Sequence, residues 1–151
     1  MVKFRKLSIT ELKALEKEFV EFLVLNGIEA DSWTRINKES PDHADEIIDQ
    51  FSDVVFTSIF RKNEYIDFIS EKRIQCFHFQ AEEAVLIGVE TKDSCVNFLT
   101  CSMDQLKTKQ FEIFTMNKKY EKTREEEMFE LISVGANLSD GQLYKKLCLA
   151  L

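Results

Sequence analysis

Glycine and proline are nearly absent, with four glycines and one proline in 151 residues. A loop that cradles phosphate needs closely spaced glycines, so that backbone N–H groups can approach the ligand. Gly27, Gly88, Gly135 and Gly141 form neither G-x-G-x-x-G nor G-x-x-x-x-G-K-[ST]. Nucleotide sites of those two types are therefore excluded. Histidine is just as scarce. His43 and His78 are too few for most catalytic zinc centres, and no H-E-x-x-H or G-x-S-x-G run occurs. The four cysteines, Cys76, Cys95, Cys101 and Cys148, include no C-x-x-C pair, which leaves zinc-ribbon and thioredoxin chemistry without a spacing to rest on. We expect no metal and no cofactor.

Long apolar runs are missing too. None approaches the roughly 20 residues of a membrane-spanning helix. Glu11, Lys13, Glu16 and Lys17 interrupt the first apolar stretch, so it does not read as a signal segment. The expectation is a cytoplasmic protein with reduced thiols and no membrane association. The net charge of −7 argues against general nucleic-acid binding, which needs clustered Lys and Arg. Lys3/Arg5/Lys6 and Lys118/Lys119/Lys122/Arg124 read as solvated surface charge.

What the chain does have is a hydrophobic rhythm that changes once, near residue 62. Before it, apolar residues recur at helical spacing, as in Leu12, Leu15, Phe19, Phe22 and Leu23. After it they alternate, as in Ile66/Phe68, Phe77/Phe79, Val85/Ile87/Val89 and Val96/Phe98. A period of 3.6 followed by a period of 2 means a helical block and then a half-buried sheet. Ser8 and Glu11 form a capping box, and Asn26-Gly27 stops that helix. A short second helix follows Asp31, and Ser40-Pro41 opens a third that runs to Arg61 and Lys62. Four strands follow, at about 64–70, 73–80, 84–91 and 94–100, with links too short for anything but antiparallel neighbours. Residues 102–109 read as a helical turn and Gln110–Met116 as a fifth strand. Thr123 with Glu126 caps one more helix, and Ser139 opens the last. The predicted fold is a single α+β domain over residues 1–151. Its N- and C-terminal helices pack on an antiparallel meander of about five strands.

Candidate functional residues fall in four places. Glu16 lies inside the apolar arc with Leu12, Val20 and Leu23, which predicts a buried acid with an ion-pair or hydrogen-bond partner. Asp42, Asp45, Glu46, Asp49 and Asp53 share one side of the third helix and read first as a solvated face, with a cation site as the alternative. Phe56 and Phe60 continue that side, and Leu149 and Leu151 end the chain. These four are candidate interface residues, for a homodimer or for intramolecular docking. The fourth place is the sheet. Short turns put Ile66, Phe77, Ile87 and Phe98 in one core row. The other face then carries a row of Asp67, Cys76, Gly88 and Asn97 beside a row of Tyr65, His78, Leu86 and Leu99. The glycine would leave a dent. Tyr65, Asp67, Cys76, His78 and Asn97 around it are the candidate ligand site, with Cys76 and His78 a conceivable nucleophile–base pair. Their Cα atoms would stand about 7 Å apart, long for a direct bond.

The run Leu12-x-x-Leu15-Glu16-x-Glu18-Phe19-x-x-Phe22-Leu23-x-x-Asn26-Gly27-Ile28 resembles a family of small bacterial proteins of unknown function, as do Trp33, Ile36, Pro41, Ala44 and Phe51-Ser52-Asp53. The ending Ser139-Asp140-Gly141-x-Leu143-Tyr144-Lys145 is similar as well. The resemblance implies a bacterial, cytosolic, single-domain protein and brings no catalytic role with it. Its matching letters are mostly core and cap types, which suit a scaffold. The expected function is a non-enzymatic interaction or regulatory module with an unknown protein partner. The alternative is a small-ligand or hydrolytic site on the second sheet face.

Overall fold

Ser8 opens the first helix by the capping box its spacing predicts. Its Oγ accepts from the Glu11 N–H at 3.1 Å, and its own N–H donates to the Glu11 carboxylate at 2.9 Å. The computed structural model describes residues 2–92, 96–100 and 111–150. Within these, helix α1 (Ile9–Ala14) breaks at Leu15, where φ is −106° and ψ 24°, and α2 (Glu16–Leu25) starts afresh. Helices α3 (Ala30–Glu39) and α4 (Pro41–Lys62) follow. The strands are β1 (Tyr65–Ile69), β2 (Arg73–Phe79), β3 (Glu83–Glu90) and β4 (Glu112–Lys119). Helix α5 (Arg124–Ser133), the three-residue β5 (Asn137–Ser139) and α6 (Gln142–Leu149) complete the chain. No helix among the described residues is long and apolar enough to cross a membrane.

The chain divides into two compact units, Met1–Ile59 and Phe60–Leu151. The division falls inside a continuous helix, where no linker composition marks it.

The first unit is helical. Leu7, Phe19, Leu23, Ile47 and Phe51 form its buried core, with Phe22 and Trp33 packed on it. The Phe19 ring lies 5.0 Å from Phe51 and 5.1 Å from Trp33, close enough for tilted and edge-on ring contacts. The segment before α1 is tied down by side chains of α4. Asp53 accepts from the N–H groups of Lys3 and Phe4. Buried Ser52 accepts from the Leu7 N–H at 3.0 Å and donates to the Ile48 carbonyl at 2.7 Å, so its hydroxyl is satisfied both ways.

The second unit is the sheet, an open antiparallel arrangement in the order β4-β3-β2-β1-β5. The α+β class with a five-strand antiparallel sheet is thus as predicted, and the strand expected at 110–116 is β4, but the strand expected at 94–100 and one register are not as predicted. Residues 96–100, the described part of the predicted fourth strand, form a turn. Val96 and Phe98 are both buried, so their alternation has the look of a strand. The Phe98 N–H donates to the Glu71 carbonyl at 2.8 Å and the Lys72 ammonium to the Val96 carbonyl, which pins the turn under the β1–β2 hairpin. The count of five is made up by β5, an unpredicted strand beside β1. The predicted helical turn at 102–109, with Cys95, Cys101 and Leu151, lies outside the described residues.

The register error arises at the β2–β3 turn. The Gln80 N–H donates to the Glu83 carbonyl at 3.0 Å, so the turn has two residues, Ala81 and Glu82, where three were expected. Ile66 does pair with Phe77, but Phe77 then meets Leu86 rather than Ile87. A slip of one residue exchanges faces. Cys76 and Ile87 are partners, and with Ile74 and Val89 they make a buried face covered by Leu143, Tyr144 and Leu147 of α6. Gly88 is on the opposite face, and the Phe114 ring of β4 lies over it. A Cβ there would stand 2.2 Å from that ring, so the predicted dent is filled.

Arg124, the first residue of α5, ties the end of α4 to the end of β2. Its guanidinium donates to the carbonyls of Phe60 at 2.8 Å, Asn63 at 2.7 Å and Phe79 at 3.1 Å.

Candidate functional site

Pairing of β1 with both β2 and β5 brings several polar side chains together on one sheet face. Asp67 faces Cys76 on one side and Asn137 on the other, and Tyr65 faces His78 and Ser139. Four of the five predicted ligand residues, Tyr65, Asp67, Cys76 and His78, are therefore neighbours on one sheet face. Asn97 is separate from them in role. Its side-chain oxygen accepts from the Leu99 N–H at 2.9 Å and closes its own turn.

The chemistry of this group differs from a nucleophile–base pair. Cys76 is 0% exposed beneath α6. Burial first, then the negative charge of Asp67 and a hydrogen bond to it, push the Cys76 thiol far up, so it stays protonated. A protonated, sealed thiol is a weak donor to Asp67 and not a nucleophile. His78 is enclosed by rings. It stacks on Tyr65 at 4.5 Å with 14° between the planes, and Tyr144 meets it edge-on at 5.5 Å. Its Nε2 lies 3.5 Å from the Glu64 carboxylate.

Asp67 has a different position. A cleft of about 530 Å³ opens beside it, walled on the polar side by Asn137, Ser139 and Asp140 and on the apolar side by Ile69, Phe98, Leu99 and Leu138. The Asp67 Oδ1 is buried and has no hydrogen-bond partner. Buried carboxylate oxygens are nearly always satisfied, so this one calls for a donor. The wall residues are partly spent on local turns. Ser139 Oγ accepts from the Gly141 N–H at 3.0 Å, and Asp140 Oδ1 from the Gln142 N–H at 3.1 Å. Gly141 holds this turn with φ +83°, and a Cβ on it would stand 2.6 Å from the Tyr65 ring. Among the described residues the cleft thus offers acceptors and apolar surface and no basic group. Among the described residues no cluster of three or more His, Cys, Asp or Glu could hold a metal ion.

The remaining candidates are placed as follows. Glu16 is exposed, which corrects the prediction of a buried acid. The break at Leu15 restarts the helix, so the arc drawn through Leu12, Glu16, Val20 and Leu23 does not exist as one face. Val20 is likewise 51% exposed, while Phe19 and Leu23 are buried. The acidic side of α4 meets its own amino-terminal segment. Asp53 takes the Lys3 and Phe4 N–H groups, and the Lys6 ammonium lies 3.5 Å from both Asp45 and Asp49. Phe56 is half-buried against the Phe4 ring at 6.0 Å, with the Arg5 guanidinium 4.8 Å above it. Phe60 is 2% exposed and packs edge-on against Phe129 at 6.3 Å, so it is core and not available to a second chain. Leu149 is 88% exposed.

Sequence reasoning missed the cleft walls at Asn137, Ser139 and Asp140, although Ser139-Asp140-Gly141 is a recognisable turn signature. It also missed Glu127, buried in the first turn of α5. This carboxylate accepts from the Lys118 ammonium at 3.1 Å and from the N–H groups of Glu121 at 2.9 Å and Lys122 at 3.3 Å.

The fold and site together define an α+β protein with a small antiparallel sheet and an acidic cleft at its β1–β5 edge. The chain belongs to the DUF6495 family, a family of unknown function whose model matches residues 1–151. No curated protein and no solved structure matches it.

Proposed function

We propose that this protein works by binding and not by catalysis, and that its Asp67 cleft receives a cationic group of a protein partner, a lysine or arginine side chain. The observation that carries this reading is the buried, unpartnered Asp67 Oδ1 at the cleft wall. A guanidinium or ammonium group supplies the missing donor, and its aliphatic stem suits the wall of Ile69, Phe98, Leu99 and Leu138. The net charge of −7 draws a basic partner towards the molecule. Against a hydrolytic role stand the burial and raised pKa of the Cys76 thiol.

The test is thermal stabilisation by methylguanidinium, by its neutral analogue N-methylurea, and by a short peptide with one internal arginine. Methylguanidinium and the peptide should raise the melting temperature, the peptide at lower concentration, and N-methylurea should not. Asp67→Asn should abolish the effect. Equal response to the charged and neutral probes, or a response that Asp67→Asn leaves intact, removes the reading. Binding of free methylguanidinium as tightly as the peptide would favour a small cationic ligand over a protein segment.

A further inference from the structure

Strand β4 is one of the two outer strands of the sheet and is exposed along nearly its whole length. The hydrogen-bond phase of the sheet tells which of its backbone groups face outward. Gln80 and Glu83 bond across the β2–β3 turn, so the odd residues of β3 point at β2 and its even residues point at β4. By the observed register, Ala84, Leu86, Gly88 and Glu90 then bond Lys118, Met116, Phe114 and Glu112. The N–H and C=O groups of Ile113, Thr115 and Asn117 therefore face away from the sheet. Natural edges are guarded by proline, bulges or central charges. The stretch Ile113–Asn117 has no proline and no charge, and its register with β3 runs without a bulge.

We propose that this edge is a pairing surface for a second copy of the chain, with β4 meeting its two-fold mate antiparallel and Thr115 on the axis. Parity allows an axis on Phe114, Thr115 or Met116, and the Thr115 axis pairs the strand's acid with a base of its mate. Cross-strand partners must share a face, and only odd residues can exchange outward hydrogen bonds. With Thr115 opposite Thr115, Ile113 faces Asn117 and Phe114 faces Met116. Glu112 then faces Lys118, so acid meets base at both ends, the exposed Lys118 ammonium serving Glu112 of the mate beside its own Glu127. Paired threonines, a sulfur–aromatic contact and opposite charges are all favourable neighbours across a ladder. Moving the axis to Met116 would put Lys118 against Phe114 and leave Glu112 without a basic mate. The strand itself carries one acid and two bases, so it is a non-acidic strip on an acidic molecule.

Because Thr115 pairs with itself, the experiment is charge complementation at one position, read by sedimentation equilibrium of the full chain. The wild type should shift reversibly from monomer to dimer with concentration. Thr115→Asp alone and Thr115→Lys alone should each weaken the dimer by about tenfold or more, since like charges then meet directly. An equimolar mixture should restore it. Amide hydrogen exchange of the wild type gives a readout that needs no variant. The N–H groups of Ile113, Thr115 and Asn117 should gain protection as concentration rises, while those of Phe114 and Met116 should not change. A wild type that stays monomeric, a mixture that behaves as its components do, or protection that ignores this alternation would overturn the proposal.

Discussion

Glu127 and Asp67 are both acids drawn into the sheet unit, and their surroundings are opposite. Glu127 gathers three donors from its own chain, the Lys118 ammonium and the N–H groups of Glu121 and Lys122. Burial pushes its carboxyl up, but these donors outweigh burial and hold it below the usual range. Asp67 is flanked by a buried thiol and an open cleft, and its Oδ1 has no donor. A buried acid whose donors are all built in serves the fold. One left short of a donor leaves a place for something to arrive.

The distinction can be broken in three ways. The largest effect should come from Gly141→Ala. Its positive φ disfavours any Cβ, and the added atom would press on Tyr65, so we expect a loss of about 2–3 kcal/mol in urea unfolding. The same change should weaken cation binding at the cleft, whose wall residues Ser139 and Asp140 precede it in the turn. Unchanged stability would mean the turn adapts freely and the cleft is not a rigid feature. Glu127→Ala comes next, with a loss of about 2 kcal/mol, because the Glu121 and Lys122 N–H groups lose their acceptor. Its folded carboxyl is held low. Its stabilising part is therefore present above the unfolded-state pKa and is lost as the pH falls through the folded value. The variant should accordingly show a flatter acid limb in a stability–pH profile. Asp67→Asn should have the smallest effect and the opposite sign. Without ligand it should raise stability by on the order of 1 kcal/mol, by removing a charge that is short of a donor. A destabilisation matching that of Glu127→Ala would show that the two acids do the same job.

Local signals in the sequence were legible where one residue decides the outcome. Ser8 with Glu11, the left-handed Gly27 at φ +74° and Pro41 at the head of α4 each act within a turn of chain. Signals that depend on counting failed at a single residue. The Ala81–Glu82 turn is one residue shorter than expected, and that alone moved Cys76 from a predicted open face to a sealed one. The break at Leu15 did the same to Glu16 on a helical wheel. Val96 and Phe98 show a further limit, since alternation records burial, and a pinned turn can bury alternate residues as well as a strand can. Asp67, Tyr65, Cys76 and His78 were named from their spacing. The cleft itself could not be, because its wall comes from β5, which at three residues carries no periodicity.

Arg124 has a consequence in time. Its three carbonyl partners, on Phe60, Asn63 and Phe79, are synthesised 45 to 64 residues before it. Until α5 leaves the ribosome, none of these three carbonyls has the guanidinium to accept from. The β1–β2–β3 hairpins can zip from their short turns at once, since such closure is local and fast. The side-chain contacts that fix them to the end of α4, however, wait on Arg124 and Phe129, which are made late. The order of synthesis therefore imposes an order of assembly: local hairpins first, and the long-range clasp of Arg124 only after α5 has emerged.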